Sequence, residues 1–266
     1  MADAQTRLGH QNLIAYSRAT THWCTKGSFL DEGGVLVYAG GSWIPVIGNG
    51  AFATEDDVPA DEVIRRADAF FARLGRGYSV KVRDTGEDAA LQAACEKHEL
   101  VAFGDPVPQM ICHRVLETHG APEGTALREV TNERGVGDFA AVDTEAYATY
   151  GMPAEVFADQ FDRPDRLVAD PDARIVVAYL NGRPVAAALT FFTAGVGGLQ
   201  WVGTVPDARH MNLGRLVTEW ATNVAFAMGA TSVTLQASAM GESLYAKLGY
   251  ETLYHYREFV RWTPPA

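Results

Sequence analysis

Arg209-His210-Met211-Asn212-Leu213-Gly214-Arg215 stands between an apolar run, Trp201 to Val205 closed by Pro206, and a segment of helical periodicity beginning near Asn212. A loop in that place opens a helix N-terminus, whose unpaired amide N–H groups and positive dipole pole can seat a phosphate. Arg209 and Arg215 would add charge. The loop lacks the three spaced glycines of a dinucleotide fingerprint and the Gly-Lys-Ser/Thr ending of a triphosphate loop, so neither of those chemistries fits. The competing reading is a solvated connection before an ordinary helix.

The elements that must hold this loop are legible from periodicity. After it, Leu213, Leu216, Val217, Trp220 and Val224 share one helical face, and Arg215, Thr218, Glu219, Thr222 and Asn223 make a polar one. Gly229 supplies the left-handed stop, and Val233, Leu235 and Ala237 alternate with polar residues as a strand. Strand, loop, helix and parallel strand form a crossover unit. Upstream the sequence predicts a strand at 126–131, helices at 138–150 and 153–161, and a hairpin of 174–180 with 185–193 turning at Asn181-Gly182. A last strand at 254–262 closes the sheet.

The first half repeats this order less clearly. A short helix at 9–18 precedes two apolar runs at 34–50 that read as a hairpin turning at Gly40-Gly41. A helix follows with Val63, Ala67, Phe70, Phe71 and Leu74 inward and Gly75 at its end. A strand at 78–82, a helix at 88–98 and an extended return at 101–112 complete the unit. The chain therefore reads as two copies of one mixed α/β unit with a boundary near 119–124. Between Ala51 and Ala60 only acidic residues stand where a phosphate loop would lie, so the first copy is expected to be structural.

Arg209, Asn212 and Gly214 fall on the signature Arg/Gln-x-x-Gly-x-Gly/Ala, and here the sequence resembles the GNAT acyltransferase superfamily, in which that loop wraps the pyrophosphate of acyl-coenzyme A. Asn212 stands where the first glycine is usual; Asn tolerates left-handed angles and also caps helices. A second segment, Gly241-Glu242-Ser243-Leu244-Tyr245-Ala246-Lys247-Leu248-Gly249-Tyr250, is similar to the family ending A-x-x-L-Y-x-K-x-G-F. The resemblance implies two tandem GNAT-like mixed-sheet domains: a degenerate one over 1–122 and an acyl-CoA-binding one over 123–266.

It also implies a cofactor set. His210, Met211, Leu213 and Arg215 join the three signature residues at the pyrophosphate, and Ser238 follows the next strand. Gly203, Thr204 and Val205 would offer backbone groups to the pantetheine arm. Gly203 fits a strand bulge or a close backbone approach, or else packs opposite a bulky neighbour. Tyr245 corresponds to the family's proposed general acid for the leaving thiolate. A free thiol near pKa 8.5 and a phenol near 10 make full transfer uphill by roughly 2 kcal/mol, so hydrogen bonding to the thiolate is the safer role; a core-packed ring is the alternative. The acceptor pocket would take Tyr147, Tyr150, Met152 and Phe157 with Tyr254 and Tyr256. As bases, Glu219, Glu242, Asp170 and His255 are candidates only by their place beside these segments.

Composition bounds the rest. Of 266 residues, 47% are apolar and 21% charged, which suits a globular chain. The first ten residues have no apolar signal core and no run could span a bilayer, so a cytoplasmic protein is expected. Cys24, Cys95 and Cys112 suggest neither a disulfide framework nor zinc, and no metal is assigned. A net charge of -11 argues against nucleic acid or anionic membrane as partner and favours a cationic or neutral acceptor. The reading is acetyl transfer from acetyl-CoA to an amine of a small molecule or peptide. Since neither motif holds a cysteine, direct attack in a ternary complex is favoured over an acyl-enzyme. A non-catalytic acyl-CoA-binding regulatory module is the rival, and a homodimer is one option for assembly.

Overall fold

The computed structural model describes residues 2–263, with side chains from Gln5 onward. The first half runs α1 (Ala2–Thr20), β1 (Ser28–Glu32), β2 (Val35–Ala39), β3 (Asn49–Ala53), α2 (Ala60–Leu74), β4 (Tyr78–Arg83), α3 (Ala89–Lys97) and β5 (Val101–Cys112). The second runs β6 (Thr125–Glu129), α4 (Glu133–Tyr147), a single 3-10 turn (Ala148–Tyr150), α5 (Glu155–Gln160), α6 (Pro164–Ala169), β7 (Ala173–Leu180) and β8 (Arg183–Thr193). It ends with β9 (Val196–Thr204), α7 (Leu213–Ala227), β10 (Ser232–Gln236), α8 (Glu242–Leu248) and β11 (Glu251–Arg261). No helix among the described residues is long and apolar enough to cross a membrane.

The strands form one sheet in the order β1-β2-β3-β4-β11-β5-β10-β9-β8-β7-β6. Two pairs are parallel, β3 with β4 and β9 with β10, and α2 and α7 supply the crossovers that parallel pairing requires. The remaining pairs are antiparallel. β5, from the first half, lies between β10 and β11, while β11 lies between β4 and β5. Each half thus completes its sheet with a strand from the other. One apolar cluster runs from Leu13 and Trp23 through to Tyr256, and a second, around Val63, Phe71 and Val80, belongs mostly to the first half.

Several elements differ from their sequence reading for identifiable reasons. The run 42–47 is a loop, and the partner of β2 starts at Asn49. The Asn49 side-chain amide donates to the carbonyls of Ser42 and Ile44, so they need no strand partner. β9 begins five residues before Trp201, across Gly197 and Gly198. A Cβ at Gly198 would lie 2.1 Å from Asn12 Oδ1 of α1, and one at Gly197 2.5 Å from Ala225 Cβ of α7, so both glycines admit a helix rather than a turn. α4 starts at Glu133 because the Asn132 side chain accepts from Gly135 N–H, a standard N-cap.

The polar face of α7 is buried, contrary to the amphipathic reading. The segment connecting the halves lies over it: Glu219 is inaccessible and accepts from the His119 backbone N–H at 3.0 Å, with His119 Nδ1 at 2.7 Å, and Asn223 bonds both backbone groups of Leu116. Thr222 meets the Tyr250 hydroxyl at 2.7 Å. Buried polar groups with partners cost little, so periodicity alone could not separate this face from a solvated one.

Candidate active site

β9 and β10 stay paired only as far as Leu199 and Leu235 and then diverge. The gap is the site. β9 also carries a bulge: Ala187 faces Gly203 while Leu189 faces Gln200, and Trp201 takes the left-handed φ of 51°. The bulge belongs to Trp201, not to Gly203. Its indole N–H donates to the Tyr16 hydroxyl at 2.6 Å, and its ring packs edge-on against Tyr147 and Phe157. Gly203 serves the other role foreseen for it, since a Cβ there would lie 2.8 Å from Asp143 Oδ1 and 3.1 Å from Ala146 Cβ of α4.

Two cavities open at this gap. One, of about 130 Å³, is walled by Gly203, Thr204, Arg209, Gly214, Leu244 and Tyr150 among others. The second, of about 220 Å³, runs under α1 and reaches Tyr38, Ile47 and Lys81 of the first half. Tyr147, Val202, Ser238 and Tyr245 wall both. A molecule in one cavity is therefore a neighbour of a molecule in the other.

At the head of the smaller cavity, His210 and Asn212 adopt φ of 65° and 61°. Asn212 holds the left-handed place of the usual glycine; it does so by backbone, since its side chain makes no capping hydrogen bond. The backbone N–H groups of Met211 to Arg215 make no hydrogen bond to another described residue, which leaves a run of unused donors at the start of α7, with Gly214 on the wall of the smaller cavity. Leu213 is buried and offers only its backbone, whereas His210, Met211 and Asn212 are exposed. Arg209 is a strut: its guanidinium donates to Thr204 O at 3.3 Å, Ala146 O at 3.2 Å and Thr149 Oγ1 at 3.2 Å, tying β9 to the carbonyl end of α4. Arg215 turns back toward Glu219 at 3.5 Å. Val205 is core, and its N–H is committed to Val185 O.

Tyr245 is buried with its ring on the wall of both cavities, and its hydroxyl has no partner among the described residues. Burial, with Tyr150 beside it, pushes its pKa up, so it stays a neutral donor. Ser238 accepts from Gly241 N–H at 3.2 Å and from the Tyr150 hydroxyl at 3.3 Å. Tyr147 lines both cavities, and Tyr150, expected in the acceptor pocket, lines only the smaller one. Met152 packs on the core and lines neither cavity. Tyr254 and Tyr256 lie outside it, in a buried chain in which their hydroxyls stand 3.1 Å apart and Tyr256 reaches His10 Nδ1 at 2.7 Å.

None of the four candidate bases reaches the cavities. Glu219 is held by His119, Glu242 is exposed, Asp170 accepts from the Trp23 indole, and His255 pairs with Asp84 at 3.1 Å. The three cysteines are buried away from both cavities. Sequence reasoning missed Val202, hidden in an ordinary apolar run, and Asp143, one helical turn before Tyr147. Asp143 is fully buried, neither of its oxygens has a partner among the described residues, and burial holds its pKa well above the usual carboxylate range.

A mixed sheet whose parallel strands β9 and β10 diverge beside the loop that opens α7 frames the candidate site. Residues 139–250 match the profile of the Acetyltransferase (GNAT) family, so a GNAT-family domain lies within the second half. The fold is similar to that of a GCN5-related N-acetyltransferase from Kribbella flavida, with a TM-score of 0.70 and 21% identity covering 97% of this chain and 96% of that one. A tandem GNAT protein from the clavulanic acid biosynthesis pathway matches at TM-score 0.58 and 13% identity, covering 87% and 83%. A GCN5-related N-acetyltransferase from Sphaerobacter thermophilus matches at 0.57 and 15%, covering 89% and 83%. No protein of curated function matches the sequence. The fold is two GNAT-like α/β units sharing one sheet.

Proposed function

We propose that the protein transfers the acetyl group of acetyl-CoA to an amine of a small molecule by direct attack in a ternary complex. The observation that carries this reading is the junction of the two cavities at Tyr147, Val202, Ser238 and Tyr245, at the mouth of the gap between β9 and β10. The pyrophosphate would take the N–H groups of Met211 to Arg215, and the pantetheine arm the edge of β9 near Thr204. The thioester then lies at the junction, and the acceptor fills the larger cavity.

The amine nitrogen attacks the thioester carbon, the carbon–sulfur bond breaks, and CoA leaves as a thiolate that accepts a hydrogen bond from Tyr245. The raised pKa of Tyr245 makes complete proton transfer to sulfur less favourable still, which supports hydrogen-bond donation. No carboxylate or imidazole lines the larger cavity, so the amine's proton would leave through water. Neutralising an amine of pKa near 10.4 at pH 7 costs about 4 to 5 kcal/mol, within the roughly 7 to 11 kcal/mol that holding two reactants together can supply. Calorimetric titration with acetyl-CoA, followed by an amine screen reading CoA release, tests the reading. One site per chain and turnover lost in Tyr245→Phe are expected; folded protein that binds no acetyl-CoA would sink it, and binding without turnover of any amine would leave the non-catalytic module.

A further inference from the structure

The larger cavity carries one charged side chain, and its sign is opposite to that of the chain. Against a net charge of -11, the lining holds Lys81 and no carboxylate. Lys81 comes from β4 of the first half, the half that the sequence marks as structural. Its Nζ touches Glu258 of β11, whose Oε1 also accepts from Ser79 Oγ at 2.9 Å, so one of the three ammonium donors is used. Burial opposes the charge of Lys81, but Glu258 and Tyr38 outweigh it, and the ammonium is kept. The Tyr38 hydroxyl shares the same wall.

A second side chain in this wall has an unused hydrogen-bonding atom. Gln160 of α5 is almost inaccessible, its Nε2 donates to Thr20 O at 3.4 Å, and its Oε1 accepts nothing among the described residues. A diamine or polyamine would meet the Lys81 ammonium, and no carboxylate lines this cavity to hold its second charge, since Glu258 is bonded to Lys81 and Ser79 behind the wall. We propose, resting on the acetyltransferase reading above, that the acceptor is a small amino carboxylate whose anionic group is held by Lys81, with Gln160 accepting from a donor of the same molecule. Along the sheet β4 stands three strand positions from β10, roughly 14 Å at normal spacing, so the amine and the carboxylate are separated by several bonds.

The test is a matched panel: β-alanine, γ-aminobutyrate and δ-aminovalerate, each beside its carboxamide and the diamine of equal length, with CoA release read at saturating acetyl-CoA. In the wild type the best amino carboxylate should exceed its carboxamide by about tenfold in kcat/KM. In Lys81→Met that preference should vanish while the acetyl-CoA Kd holds. Because that change strands Glu258, the paired variant Lys81→Met/Glu258→Gln removes both charges and should give the same loss in folded protein. Wild-type preference for carboxamide or diamine, or a preference that survives both variants, overturns the inference. Should no panel member turn over, titration of the same pairs into CoA-loaded protein, followed by Trp fluorescence, must show the carboxylate preference; equal or absent binding overturns it. Failure to bind acetyl-CoA would instead overturn the underlying acetyltransferase reading.

Discussion

The two parallel-strand gaps in this sheet start alike and end differently. β9 and β10 part after Leu199 and Leu235, and the space between them opens into a cavity. β3 and β4 part after Ala51 and Val80, but the N-terminal end of α1 lies against them. The His10 ring meets Phe52 of β3 edge-on at 5.6 Å and the Tyr256 hydroxyl at 2.7 Å, beside Arg83, which pairs with Asp88. Where the second half has an N–H-lined loop, the first has Glu55-Asp56-Asp57, with Asp56 paired to Arg7 of α1 at 3.5 Å. The same backbone device leaves a cavity where its loop keeps N–H groups free, and becomes a packing joint where the loop is acidic and a helix fills the gap. Neither half is idle, for the helix that fills one gap roofs the cavity of the other through Leu13, Tyr16 and Ser17.

The filled gap should depend on His10 being neutral. Burial foremost, and then Arg83, lower its pKa from 6.5 to about 4, against the opposing pull of Asp88. A depressed pKa gives stability that is complete above the unfolded value of 6.5 and lost as pH falls through about 4. The loss should reach about 3 kcal/mol at full effect. Urea midpoints at pH 7 and pH 4.5 should separate in the wild type and close in His10→Gln, which keeps a polar partner for Tyr256 but cannot titrate. Equal midpoint shifts in both proteins would show that the gap is not sealed by a neutral imidazole.

In the open gap the corresponding test is chemical. Tyr245→Phe keeps the ring against Tyr250 but removes a hydroxyl that has no partner among the described residues; the other two hydroxyls on the shared wall, those of Tyr147 and Ser238, are hydrogen-bonded. The kcat should fall by about 100-fold with little change in the KM for acetyl-CoA. Undiminished kcat would reduce Tyr245 to a wall residue, and the two gaps would then differ in access alone.

Much of this contrast is legible in the sequence, and the rest is hidden for physical reasons. The loop from Arg209 to Gly214, the helix after it and the Asn181-Gly182 hairpin announce themselves because each rests on local rules of capping, periodicity or turn chemistry. The acidic stretch at 55–57 likewise marks the first half as lacking a phosphate seat. What stays hidden depends on distant partners. Gly197 and Gly198 carry no strand signal until α1 and α7 pack on them, Glu219 looks solvated until His119 crosses it, and Lys81 looks like an ordinary strand lysine until α1 roofs the cavity. Strand exchange through β5 and β11 has no local signature at all.

A smaller effect should follow from the shape of the donor loop. Asn212 sits at φ 61°, a region that costs a β-branched residue about 1 to 2 kcal/mol. Asn212→Val should therefore weaken acetyl-CoA binding by about 5- to 30-fold, measured by calorimetry, while Asn212→Gly should bind at least as tightly as the wild type. Equal affinities for all three would mean that the left-handed bend does not form the seat, and the loops of the two halves would differ in charge only.

The last effect concerns the one fully buried acid beside the open gap among the described residues, Asp143. Its pKa is raised by burial alone, the opposite sense to His10. A raised acid pKa leaves stability intact below the unfolded value near 4 and removes it progressively as pH climbs toward the folded pKa. The stability of Asp143→Asn minus that of the wild type should therefore grow with pH from 4 to 8, because the amide never ionises. Any fixed offset from the amide's own hydrogen bonding cancels in that slope, and His10 contributes equally to both proteins. A difference that stays flat with pH would mean that Asp143 finds a charge-stabilising partner in solution, so that Gly203 makes room for a satisfied carboxylate rather than for a neutral acid. A rising difference would place an uncompensated group directly behind Tyr147 at the open gap, in contrast to the first half, where the acid beside the filled gap, Asp88, is paired with Arg83.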